Sequence, residues 1–209
     1  YVDVDDDKVI DSIFDRLNRN GEPLNGQELR HSQYYDAQLL SLCYELTKVN
    51  FWSDRLKVTD KSRMEDVEFI SELVLTVIED GEFTSTNLVL DELYAKYAKS
   101  SDINWAELRD RFMRTTNFIE KLGIDFQASK VSGVSHLYGI WCFSLFCVKK
   151  AISAESIATK LIEFLQAAKE RNTSITAARE YKASMSSRTK DKGNRTRRKN
   201  AMLSYCGLV

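Results

Sequence analysis

The sequence predicts a mainly α-helical protein, a multi-helix bundle entered by one short N-terminal strand. Three observations carry that expectation. One Pro and eight Gly in 209 residues leave too little turn punctuation for the tight connections of an all-β chain. Apolar residues recur at three- and four-residue intervals, which stacks them on one helix face. Asn and Ser residues stand just ahead of several of those stripes, where helix starts want them. The apolar fraction of 43% and charged fraction of 29% are those of a globular chain.

Taken in order, Val2 and Val4 alternate with Asp3 and Asp5, the period of a half-buried strand. A helix follows, with Val9, Ile10, Ile13, Phe14 and Leu17 on one side, and ends at Asn20-Gly21. Glu22-Pro23-Leu24 is extended, and Asn25 caps a short helix bearing Gln27, Glu28 and Leu29. The next helix, Tyr35 to Val49, puts Leu39, Leu42, Cys43 and Leu46 together. Ser62-Arg63-Met64-Glu65 has the pattern of a capping box, and the helix behind it runs to Gly81. Further helices are expected at about Thr86 to Lys99 and between Asn104 and Gly123.

Val134 to Lys150 is apolar nearly all round, so it belongs at the centre of the bundle, and the rings of Trp141, Phe143 and Phe146 read as core. Ser153 caps another amphipathic helix. Residues 172–194 are poor in large apolar side chains and read as a loop before a last helix, about Arg195 to Tyr205. Seven to nine helices are expected in all. They divide into a junction over 1–34, a bundle core over 35–171 and a basic Ser/Thr-rich loop with terminal helix over 172–209. The start at Tyr1, in a strand-like stretch, reads as a fragment of a larger α/β plus helical protein.

Composition narrows the chemistry. The longest apolar run, Leu137 to Val148, is about a dozen residues and too short to span a bilayer. No secretory signal pattern opens the chain, so the expected location is cytoplasmic, and Cys43, Cys142, Cys147 and Cys206 read as reduced, mostly buried thiols. His31 and His136 are the only histidines. They cannot complete a zinc pattern or an HNH nuclease site; His136 reads as a satisfied core residue and His31 as polar surface. Phosphate-loop, dinucleotide and nucleophile-elbow motifs are absent. Glu180-Tyr181-Lys182 has the E-x-K form of metal nucleases but lacks an acid on a neighbouring strand.

Charge is unevenly spread. Arg179 to Lys199 holds nine Lys or Arg against Glu180 and Asp191, a surplus of seven. With a net charge of −1, the rest of the chain stands at −8. Arg188, Lys190, Lys192, Arg195, Arg197, Arg198 and Lys199 are therefore candidate phosphate contacts for DNA, positioning it without reading sequence. A solvated basic loop is the plain alternative.

The densest polar stretch is Ile13-Phe14-Asp15-Arg16-Leu17-Asn18-Arg19-Asn20-Gly21-Glu22-Pro23-Leu24-Asn25-Gly26-Gln27-Glu28-Leu29-Arg30. Its polar side chains can knit the helix–turn–helix together, Arg16 with Glu28 for example, or hold a ligand. It resembles the I-F-x-R-L-N-x-x-G-x-x-L-x-x-x-E-L-R signature of GmrS-type proteins, with a close match over residues 9–35. These are bacterial proteins with a ParB/sulfiredoxin-like domain, among them the GmrSD modification-dependent restriction enzymes and related phage-defence proteins.

The resemblance implies the C-terminal helical portion of a nucleotide-dependent DNA-recognition protein. The family's Asp-Gly-Gln-Gln-Arg motif and its HNH motif are absent here, so this portion alone is expected to be inactive. A nucleoside triphosphate, with Mg, would belong to the full-length protein, whose relatives resemble NTP hydrolases regulating a DNA endonuclease. Implied partners are the missing N-terminal domain, DNA and an HNH-type nuclease domain or subunit, with no membrane. On this reading Arg16, Asn18 and Gly21 face the nucleotide domain, and Glu28 and Arg30 brace the turn; Arg16 or Arg30 can fork onto phosphate. The competing reading is a non-enzymatic helical interaction module.

Overall fold

The structure, a computed structural model, describes residues 23–170 and 174–209. Within them the chain folds as ten α-helices without a strand. The expected strand at Tyr1 to Asp5 and the helix ending at Asn20-Gly21 lie outside the described residues.

Helix α1 (Gly26–Tyr34) starts where the sequence places it. Asn25 Oδ1 accepts the Glu28 N–H at 2.9 Å, and Glu28 Oε2 accepts the Asn25 N–H at 2.8 Å. Two donors left over at the helix start are thereby satisfied reciprocally. Helix α2 (Gln38–Thr47) buries Leu39, Leu42, Cys43 and Leu46 as expected. The six-residue α3 (Asn50–Arg55) has fewer than two turns, too short to leave a readable period in the sequence.

The capping box expected at Ser62 is displaced. Asp60 is the residue that exchanges bonds: its carboxylate accepts the Ser62 N–H at 2.9 Å, and Glu65 Oε2 accepts the Asp60 N–H at 2.8 Å. A carboxylate is a stronger acceptor than a hydroxyl. Ser62 falls instead within a single 3₁₀ turn, and Met64 enters α4 (Glu65–Ile78) in the left-handed region at φ 56°. Thr86 caps α5 (Asn87–Tyr97), Asn104 caps α6 (Trp105–Lys121) and Ser153 caps α8 (Ala154–Lys169).

Helix α7 (Val134–Lys149) is the central element the sequence anticipates. It packs on α4 and α6 and on α10 (Lys192–Cys206). Trp141 is fully buried, with Phe112 of α6 at 4.4 Å and Trp52 of α3 at 5.7 Å between ring centroids. The Trp52 indole donates to Thr116 Oγ1 at 3.0 Å, so that large ring enters the core without losing its hydrogen bond.

The expected loop over 172–194 is corrected in part. Thr176–Ser184 forms helix α9, which packs on α8 and α10 with Ala178 and Tyr181 buried. Two small inward residues and one aromatic suffice against a crowded neighbour, so the segment lacks the large apolar stripe that signals a helix in sequence. This helix and α3 raise the count above the seven to nine expected.

Gly139 lets α10 approach α7. A Cβ there would lie 2.5 Å from Arg198 Cδ and 3.0 Å from its Cγ. Alanine's helix propensity favours the substitution by about 1 kcal/mol, but overpacking costs roughly 1–3 kcal/mol when the neighbour cannot yield. Arg198 is fully buried with its head group pinned by carbonyl oxygens. Gly139→Ala should therefore lower stability by about 1 kcal/mol in urea unfolding; a stabilised variant would show that Arg198 moves aside.

Candidate functional site

The site assembles on one face of α4. Glu65, Glu68 and Glu72 recur at helical spacing, and the signature helix and the basic C-terminal segment reach them from opposite sides. Arg30 of α1 is 1% exposed. Its Nη2 donates to Glu68 Oε2 at 2.8 Å, its Nη1 to Asp91 at 2.8 Å and its Nε to Gln27 at 3.0 Å. Gly26 sits one turn before it, where a Cβ would lie 2.3 Å from Asn87 Oδ1, so glycine permits this close seating of α1 on α5.

Lys190 then spans the two carboxylates, 3.0 Å from Glu68 Oε1 and 3.2 Å from Glu72 Oε1. Arg195 takes the other oxygen of Glu72 and also donates to the Phe83 carbonyl at 3.1 Å. Its guanidinium lies 3.7 Å from the Tyr138 ring centroid. Arg30, Glu68, Lys190, Glu72 and Arg195 thus alternate in charge along a continuous ladder. Burial alone would lower the Lys190 and Arg195 pKa values, but the carboxylates outweigh it and hold both above their ordinary values.

A cavity of about 240 Å³ opens beside the ladder, with Thr189, Ser135, Tyr138 and Arg198 completing its wall. Glu68 and Glu72 are engaged by cations there, and Glu65 Oε2 accepts the Asp60 N–H. Among the described residues no cluster of three or more His, Cys, Asp or Glu is arranged to hold a metal ion. Nor is any helix among them long and apolar enough to cross a membrane.

The residues singled out from sequence therefore have distinct fates. Arg16, Asn18 and Gly21 lie outside the described residues. Glu28 is fully buried in the α1 capping box, with Arg63 at 3.6 Å, and Arg30 joins the ladder. Of the basic run, Lys190 and Arg195 are bound to the α4 carboxylates, and Lys199 pairs with Glu82 at 2.7 Å. Arg198 donates to the carbonyls of Ser135, Ser184 and Thr189 at 2.8–3.2 Å. Burial removes Arg195 and Arg198 from the surface, a correction to reading the whole run as outward-facing phosphate contacts. Arg197 is exposed and pairs with Glu180 at 2.5 Å, while Arg188 and Lys192 are exposed and form no ion pair among the described residues.

Both histidines are internal. His31, expected at the surface, is 6% exposed and shares a 3.0 Å hydrogen bond with Tyr44. His136 is half-buried, stacked on Tyr181 and bonded to its hydroxyl at 2.7 Å through Nδ1. All four cysteines are buried free thiols, and burial raises their pKa values, which keeps them protonated. Sequence reasoning missed Glu68 and Glu72; their i, i+4 spacing is visible, but the cations that meet them come from distant parts of the chain. No family model, curated protein or solved structure matches the chain.

Two outcomes follow from this geometry. Glu72→Ala strands Arg195 in the core and should cost roughly 3–5 kcal/mol in urea unfolding. Glu68→Ala should cost less, since Arg30 keeps Asp91 and Lys190 keeps Glu72; equal losses would show that the ladder does not distinguish its two rungs. Burial first, and the nearby Arg198 charge second, lower the His136 pKa from 6.5 to about 4. The unfolded state then binds the extra proton between those values. Stability should fall by at most ~2–3 kcal/mol as pH drops from 6.5 to 4. An NMR titration of the His136 ring with a midpoint near 6.5 would exclude this.

Proposed function

We propose that this chain is the helical part of a GmrS-like, nucleotide-dependent DNA-recognition protein of a bacterial phage-defence or restriction system, acting in the cytoplasm. The resemblance of residues 9–35 supplies the class. The observation that supports it is the ladder: the signature's Arg30 and the basic segment's Lys190 and Arg195 meet on Glu68 and Glu72. That gives the junction a rigid seat on the bundle. Arg16 and Asn18 would serve the nucleotide side, with triphosphate and Mg bound by the missing N-terminal domain. Cleavage would fall to an HNH-type nuclease domain or subunit.

A second reading, a non-enzymatic interaction module, is favoured by a specific observation. Four of the seven basic candidates are engaged internally: Lys190, Arg195, Arg198 and Lys199. Salt dependence separates the readings, because phosphate contacts release counterions and an apolar interface does not.

Each phosphate contact contributes a slope of about −0.9 to log K against log salt. Arg188, Lys192 and Arg197 acting alone predict about −3, and all seven residues about −6. Fluorescence anisotropy with duplex DNA across a salt series should give the smaller slope, and Arg188→Gln with Lys192→Gln should flatten it further. A flat salt response, or no DNA binding by the full-length protein, would favour the interaction module.

A further inference from the structure

A second cavity, about 240 Å³, shares no lining residue with the ladder cavity. The turn before α7, the start of α7, the end of α8 and helix α9 enclose it. Its polar lining is Ser129, Lys130, His136, Lys169, Tyr181 and Lys182, and no carboxylate lines it among the described residues. That sets it apart from the ladder cavity, where Lys190, Arg195 and Arg198 face Glu65, Glu68 and Glu72 in equal number.

None of these three lysines forms an ion pair among the described residues. Lys182 Nζ instead donates to the carbonyl of Glu170. Behind His136 and Tyr181 lies Arg198, close enough to depress the His136 pKa and oppose the rise at Tyr181. Arg198 is 0% exposed and rests on three carbonyl oxygens, without a carboxylate. Carbonyl dipoles bond both its terminal nitrogens but leave its full charge in place. Three lysines therefore border one concave space with no carboxylate in its lining among the described residues, and the Arg198 guanidinium lies behind its His136–Tyr181 wall. Val131 and Leu165 form part of an apolar floor.

We propose that the cavity between α7, α8 and α9 is a binding site for a phosphate group. Lys130 and Lys169 close over it from the exposed rim, and Lys182 approaches from α9. Multiple N–H donors meeting a compact, multiply charged oxyanion is the chemistry such a site selects. The phosphate is either that of a small free anion or one in a nucleic-acid backbone. The site shares no residue with the basic candidates of the DNA reading and does not depend on that reading.

The test uses inorganic pyrophosphate and, separately, a short blunt DNA duplex, each titrated into the full chain by calorimetry while the His136 ring is followed by NMR. An anion in the cavity raises the His136 pKa above about 4, because it offsets the positive field there. Lys130→Gln combined with Lys169→Gln, both on the exposed rim, should weaken binding by about tenfold or more. Lys96→Gln on distant α5 should leave it unchanged.

Saturable pyrophosphate binding with these signatures assigns a free phosphate ligand. The same signatures with the duplex alone assign a nucleic-acid backbone. Binding by neither probe overturns the proposal, as does binding indifferent to the rim lysines with an unmoved His136 titration. Thermal melts of the rim variant matching the parent show that a lost signal comes from the site and not from unfolding. Arg188→Gln with Lys192→Gln removes neither rim lysine, so failure of the DNA reading and failure of this site are read separately.

Discussion

Glu68 and Glu72 stand one turn apart on α4, and each carboxylate uses both oxygens to hold segments that are distant in the chain. Glu68 binds a residue 38 positions earlier and another 122 positions later. Glu72 fixes Arg195 where α10 enters the core. Without those carboxylates, Arg30 and Arg195 would be buried charges with incomplete pairing, each costing several kcal/mol. The position of α1, the approach of α10 and the path of the loop between α9 and α10 all follow from satisfying them. Apolar packing around Trp52, Trp141 and Phe112 supplies the larger share of stability, but apolar contacts are non-directional. The ladder is what selects one arrangement of the ends of the chain.

The uneven charge of the sequence has a corresponding meaning. An acidic body and a basic terminal segment look like a surface prepared for a polyanion. In the fold, much of the basic surplus is met by the body's own acids, Glu68 and Glu72 on α4 and Glu82 beyond it, while Arg197 pairs within the segment with Glu180 on α9. What decides is desolvation. An exposed Lys–Glu pair is worth little, whereas a guanidinium carried into the core requires partners with defined geometry. Charges left over after this internal matching are the informative ones, and they lie at Arg188, Lys192 and around the α7–α9 cavity rather than along the whole run.

Much of the architecture was legible because its signals are local. Asn25, Thr86, Asn104 and Ser153 each accept a backbone N–H at a helix start. The all-apolar face of Val134 to Lys149 needs no partner's identity to place it centrally. Three features were not legible. Helix α3 is shorter than the period that would reveal it. Helix α9 buries small residues against neighbours that the sequence does not name. The left-handed entry at Met64 accompanies the capture of Ser62 by Asp60, whose Oδ1 accepts both the N–H and the Oγ–H of Ser62, an arrangement that depends on geometry more than composition. Of the candidate site, Glu28 and Arg30 were visible as polar residues on a capped helix. The acids that bind Arg30 were not, because no local rule joins Arg30 to Asp91 or Glu68.

Arg195 and Arg198, three residues apart on α10, show two ways of keeping a cation in a core. Arg195 is neutralised by Glu72 through Nη2, its Nη1 meets the Phe83 carbonyl, and its guanidinium lies over the face of Tyr138. Arg198 has carbonyl oxygens alone, and burial together with the neighbouring Arg195 lowers its pKa. Those carbonyls come from the start of α7, the end of α9 and the loop beyond it, so one side chain ties three backbone segments at a point where an apolar residue would tie none. An arginine without a counter-ion is stable there only because all three segments stay in place. Its charge is felt at His136 and Tyr181 in the wall of the adjoining cavity, where it lowers the pKa of the first and opposes the rise at the second. The same residue that organises the C-terminal helices thereby adds to the positive character that Lys130, Lys169 and Lys182 give the proposed phosphate site.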